Sequence, residues 1–223
     1  MVLNFDNEKT LAFILDTEWY VPLADRTTSL SSLKVNPTRP EHRFIGGVFY
    51  CFHPLNKNEK VEKKEIFVNS LNENDEKNAL AEVYTFFNEH WEQLAGKRDS
   101  VPDLITIGTG ISRLDLPGLF ARSVLLGIDD VPKLYDTYLK TKVVDLSEVA
   151  IPYFNKNRPN LLYPVPTNSI MSMFNIEGDL KTTGKSVWEM VDKNDFDGVK
   201  NRVRGEVETL YKIYFRIVKE IFH

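Results

Sequence analysis

Apolar and polar positions fall in blocks whose period changes along this chain. "LAFIL" (11–15) is apolar without interruption, the pattern of a strand buried on both faces, and it runs straight into Asp16-Thr17-Glu18. "FIGGVFYCF" (44–52) predicts a second strand and "KEIFVN" (64–69) a third, with the polar "HPLNKNEKVEKK" turning between them. Residues 23 to 43, rich in Ser, Thr, Pro and Arg, predict a long loop. The period then changes. Over 73–95, Leu80, Val83, Phe87, Trp91 and Leu94 recur on one face of a helix. "DLITIG" (103–108) predicts a strand, "LPGLFARSVLLGI" (116–128) a helix entered through Pro117, and "KVVDL" (142–146) a last strand followed by helical segments. From about 195 to 222, Val199, Val203, Val207, Leu210, Tyr214, Ile217 and Ile221 form a continuous helical stripe. Three consecutive strands, a helix, further βα units and a terminal helix predict a mixed α/β sheet with helices on both faces. No glycine-rich linker divides residues 1–223, so one domain is expected.

Composition narrows the chemistry. The 223 residues carry a net charge of −4, which argues against a general electrostatic nucleic-acid binder but leaves room for a local basic groove. No apolar run has membrane-spanning length and the N-terminus lacks a secretory pattern, so an intracellular, cytoplasmic protein is expected. Cys51 is the only cysteine, and His42, His53, His90 and His223 have no metal-binding spacing. That leaves carboxylates as candidate ligands.

Asp16 and Glu18 are two residues apart on a strand and share a face, where like charges repel unless a cation lies between them. A solvated strand end is the plainer alternative. Asp115, in "IGTGISRLDLPGLFARS", suits a helix N-cap, yet strand, glycine-bearing turn and carboxylate also deliver an acid to the end of a sheet. Glu206 falls about 55° from the centre of the apolar stripe of the last helix, so it needs a partner there, either a basic residue or a metal shared with Asp16 and Glu18. Glu208 falls opposite the stripe and predicts a surface residue. Asp145 is best placed to cap the helix after it, and the acids at 73–76 suit a helix N-terminus.

In order, "FILDTEW", "ITIGTGISRLDLPGLFARSVLLGI" and "GKSVWEMVDKNDFDGVKNRVRGEVETLYKIYFR" resemble the three motifs of the 3′–5′ exonucleases of the DEDD superfamily. The resemblance is to the branch of the proofreading domains of family B DNA polymerases, and it implies a ribonuclease H-like fold. It makes Asp16, Glu18, Asp115 and Glu206 the catalytic, metal-binding carboxylates and places Thr17, Trp19, Tyr20, Leu114 and Arg202 against the substrate. Trp19 and Tyr20 could stack on a terminal base or equally belong to the core, and the resemblance favours the first. The chain departs from the family in several places. Glu206 stands where members carry Asp; Arg202 and Asn201 stand where a Tyr or a His orients the attacking water. Gly110-Ile111 replaces an Asn-Gly turn, and Leu114 replaces an aromatic residue.

If the four carboxylates converge, two Mg²⁺ or Mn²⁺ ions about 3.5–4 Å apart suit them and could hold the attacking and leaving oxygens of a phosphodiester displacement. The expected activity is removal of 5′-mononucleotides from the 3′ end of single-stranded DNA or RNA. Arg202 cannot act as a base because it stays protonated; it either holds the scissile phosphate or neutralises Glu206 and takes the place of a metal. Lys57, Lys60, Lys63, Lys64, Lys156, Arg158, Lys181, Lys185, Lys200 and Arg204 are candidate groove walls, or simply solvated charges. The competing expectation is a ribonuclease H-like domain that has lost catalysis and binds nucleic acid or protein.

Overall fold

The computed structural model describes residues 9–26, 34–54, 60–95, 103–154, 164–178 and 184–222. Its central sheet is built from β1 (Thr10–Tyr20), β2 (Arg43–Phe52), β3 (Glu62–Phe67), β4 (Asp103–Gly108) and β5 (Lys142–Asp145) in the order β3-β2-β1-β4-β5. β1, β2 and β3 pair antiparallel, while β4 and β5 run parallel to β1. The helices are α1 (Glu73–Ala95), α2 (Asp115–Leu125), α3 (Val131–Tyr138), α4 (Leu146–Val149), α5 (Ile151–Phe154), α6 (Thr167–Phe174), α7 (Gly184–Asp192) and α8 (Phe196–Phe222). Among the described residues no helix is long and apolar enough to cross a membrane.

Strand alternation assigns the helices to the two faces. Phe13, Leu15, Phe49 and Cys51 share one face through the pairs Phe13–Cys51 and Leu15–Phe49. There Phe13 stacks on Phe87 of α1 with ring centroids 4.6 Å apart, and Phe86 meets both Phe13 and Phe49 edge-on. Tyr50 and Phe52 point the other way and meet Tyr211, Tyr214 and Phe215 of α8. The apolar stripes predicted for α1 and α8 are therefore the two lids of the core: Leu80, Val83, Phe87 and Leu94 below, and Val199 through Ile217 above, are buried. Trp91 is half-buried, and the side chain of Ile221 lies outside the described residues.

β3, at Glu62–Phe67, starts two residues earlier than the expected 64–69, and two further boundaries differ from the sequence expectation, each for a physical reason. β1 does not end at the acids but continues through them to Tyr20, because β2 pairs with it as far as Tyr20–Arg43 across a bulge at Glu18/Trp19. The segment 116–128 is not one helix to its end. α2 stops at Leu125, where Gly127 takes a φ of 60° and the amide of Ile128 returns to the carbonyl of Ser123 at 3.0 Å. α3 then starts with Pro132 in its first turn.

Candidate metal centre

The site lies where the sheet splits. β1 pairs with β4 only from Thr10–Asp103 to Ile14–Ile107, so beyond Ile14 it projects past the end of β4. Asp16 and Glu18 stand on this projecting part, on the face covered by α8, and Glu206 of α8 descends onto them. Each of the three offers a carboxylate oxygen within 4.8 Å of the others, the only such group of acid, His or Cys ligands among the described residues. All three are buried: Asp16 is 5% exposed, Glu18 8% and Glu206 7%. The placement of Glu206 on the packed side and of Glu208 at the surface agrees with the helical wheel.

Asp115 arrives from the other side of the split and stands outside that group of three. Its Oδ1 accepts from the backbone amide of Thr17 at 3.1 Å and from Thr17 Oγ1 at 2.5 Å. The amide is available to it because β4 has already ended beside this stretch of β1. Asp115 is thus the first residue of α2 rather than its cap; the cap position is taken by half-buried Leu114.

Arg202, one turn before Glu206 on α8, is seated among the acids. Its Nε donates to Glu206 Oε1 at 2.8 Å, its Nη2 lies 3.5 Å from Glu18 Oε1, and its Nη1 donates to Ser186 Oγ of α7 at 2.5 Å. Burial works against the guanidinium charge, but Glu18, Glu206 and Asp16 outweigh it and lift the Arg202 pKa above its ordinary value. Of the two roles open to Arg202 in the sequence, this geometry is that of a counter-ion to the carboxylates. Ser186 carried no signal: it becomes relevant only because α7 packs beside α8.

Of the aromatic pair after the acids, Trp19 takes the core alternative. Trp19 is a core residue, 2% exposed, edge-on to Phe44, with its Nε1 donating to Thr17 Oγ1 at 3.1 Å. It presents no face on which a base could stack. Tyr20 is partly exposed, and its hydroxyl donates to Asp192 at 2.9 Å beneath the guanidinium of Arg26. Four of the six candidate basic walls among the described residues pair with acids. Lys63 pairs with Glu208, Lys64 with Glu82, Lys200 with Asp197 and Arg204 with Glu65, while Arg204 also reaches Asn201. Lys57, Lys156, Arg158 and Lys181 lie outside the described residues. Asp145 is the cap it was expected to be, accepting from the amide and hydroxyl of Ser147 and from the amide of Gly110. The first-turn acids of α1 divide. Glu73 and Asp75 are at the surface, but Glu76 is buried in an ion pair with Arg122.

No protein-family model matches the sequence, and no curated protein matches it. Among solved structures, the family B DNA polymerase from the hyperthermophilic archaeon Pyrobaculum calidifontis superposes on 95% of this chain with a TM-score of 0.56 and 14% sequence identity. The fold is ribonuclease H-like. The likeness is one of fold alone, and this chain spans 24% of the length of that polymerase.

Proposed function

We propose that the chain is a metal-dependent 3′–5′ exonuclease of the DEDD type, acting on the 3′ end of single-stranded nucleic acid. The observation that carries this reading is the meeting of Asp16 and Glu18 from the first strand with Glu206 from the last helix, in one buried pocket of a fold shared with a family B DNA polymerase. Three buried carboxylates that bring oxygens within 4.8 Å of one another repel unless a cation draws them together, an arrangement that suits a divalent ion. The donor set is all oxygen, which suits Mg²⁺ or Mn²⁺ and not a thiolate-seeking metal.

Asp16, Glu18 and Glu206 would hold the ion. A bound divalent ion supplies Lewis-acid charge and makes a ligated water more acidic. Asp115, locked to Thr17, fixes the projecting end of β1 on which both Asp16 and Glu18 ride, and it remains the candidate fourth carboxylate. In the reaction, the oxygen of water bonds to the phosphorus of the terminal phosphodiester, the bond from phosphorus to the 3′ oxygen breaks, and that oxygen takes up a proton. A 5′-mononucleotide leaves.

The test is release of 5′-mononucleotides from a 3′-labelled single strand in Mn²⁺. Asp16→Ala is expected to lower the rate by on the order of 10³-fold, since an ion's charge stabilisation amounts to several kcal/mol. Wild type no faster than Asp16→Ala contradicts the reading. One observation favours a second reading, a domain that has given up catalysis for binding: Arg202 occupies oxygens of both Glu18 and Glu206. That reading expects single-strand binding without cleavage, unchanged by Mn²⁺.

A further inference from the structure

β3 ends beside the carboxylate pocket. Its residues alternate between the two faces of the sheet, and those on the α8 side are identified by their partners: Lys63 meets Glu208 and Glu65 meets Arg204. Phe67 is the next residue on that side. Strand register sets it in one row with the acids, Phe67 opposite Gly46 and Gly46 opposite Glu18. Directly paired residues of neighbouring strands share a face, so only a glycine separates Phe67 from Glu18 on the α8 side. A Cβ built on Gly46 would lie 2.3 Å from Phe67 Cδ1 and 2.6 Å from its Cγ, so the ring rests on the bare backbone of β2. Gly46 also takes a φ of 148°, which side-chain-bearing residues rarely adopt, so the place is kept for the ring. Among the described residues the Phe67 ring is engaged by no other ring and no cation, and it is only partly buried.

Resting on the nuclease reading, we propose that Phe67 is the surface on which the 3′-terminal base stacks when its phosphate lies at the carboxylates. Distance supports the assignment. Two strand spacings put the backbones of Glu18 and Phe67 about 10 Å apart, an interval that a sugar and its base can cross. The ring leans into that interval, over Gly46. The aromatic residues nearest the acids in sequence do not compete for the role. Trp19 donates to Thr17 on the other side of the sheet and packs against Gly118, and Tyr20 lies under the guanidinium of Arg26. Phe67 carries no hydrogen-bonding group, while every base has a π face. The contact therefore requires a base at the end of the strand without selecting which base.

The experiment compares the full chain as wild type, Phe67→Leu and Phe67→Tyr on two single strands, one ending in an ordinary nucleotide and one in an abasic sugar. Initial rates in Mn²⁺ give kcat and KM, and fluorescence anisotropy of the same strands with Ca²⁺ in place of Mn²⁺ gives binding. On the base-bearing strand Phe67→Leu is expected to raise KM and weaken binding about 10-fold with kcat little changed. Phe67→Tyr, which keeps the ring, is expected to match wild type. On the abasic strand wild type is expected to fall to the level of Phe67→Leu, and the three proteins to become alike. A leucine variant equal to wild type on the base-bearing strand overturns the inference, and cleavage by wild type then leaves the nuclease reading standing. An equal loss on both strands also overturns it, because it marks a structural role. Ring-dependent, base-dependent binding without cleavage keeps the contact and removes the nuclease reading. Neither binding nor cleavage removes both.

Discussion

Thr17 stands between two acids that face away from it, and its contacts lie on the opposite side of the sheet. Its hydroxyl accepts from Trp19 Nε1 at 3.1 Å and donates to Asp115 at 2.5 Å, so one threonine ties the strand, the start of α2 and a buried indole together. Thr17→Val keeps the shape but removes both hydrogen bonds, one to a buried carboxylate and one from the buried indole of Trp19, an expected loss of at least about 1.5–3 kcal/mol. Denaturant unfolding should show that loss, with Thr17→Ser close to wild type; a Val variant as stable as wild type would contradict this role. At this scale the sequence is partly legible. The pairing of Asp16 with Glu18 follows from the two-residue period of a strand, and the burial of Glu206 from its place on the helical wheel. The partner of Asp115 does not follow, because it depends on where β4 stops beside β1, which is a property of sheet register and not of the local sequence. Trp19, open to a core or a stacking role in the sequence, is decided by a related feature. β1 continues past the acids, so the indole falls on the covered face, against Gly118, where even an added Cβ would come within 2.7 Å of the ring.

Elements are joined by one buried ion pair that pattern analysis could not anticipate. Arg122 of α2 and Glu76 of α1 are each about 1% exposed and make two bonds of 2.7 Å to one another. Glu76 also accepts from the amide of Phe44 and from Arg43 on β2, and Arg122 donates to the carbonyls of Pro37, Arg39 and Pro40. Two helices, a strand and the connection before β2 therefore meet at these two side chains. In the sequence each looks ordinary: Glu76 is one of several first-turn acids and Arg122 one charge in an amphipathic helix. Only the tertiary arrangement brings them together. Arg122→Met leaves the buried Glu76 carboxylate with only Arg43 and the amide of Phe44, and is expected to cost up to about 3–5 kcal/mol in denaturant unfolding. A change below about 1 kcal/mol would show that the pair is not a structural tie. The periodic signals fared better. α1 (Glu73–Ala95) and α8 (Phe196–Phe222) span the ranges expected of them, because a long amphipathic helix on a sheet buries its stripe against it.

On the scale of the molecule, the sheet order β3-β2-β1-β4-β5 brings the first strand to the centre and the last helix across it. Residues 190 positions apart in sequence, Asp16 and Glu206, come within ligand distance of one another for that reason. With Glu18 they form a buried group of three carboxylates, and a divalent cation held among them is the central claim. Anomalous diffraction from a crystal of the wild-type chain soaked in Mn²⁺ tests this most directly. The expected result is an anomalous peak within coordination distance of oxygens from Asp16, Glu18 and Glu206. A soaked crystal with no peak among those three carboxylates, and with Arg202 the sole cation in contact with them, would contradict the account.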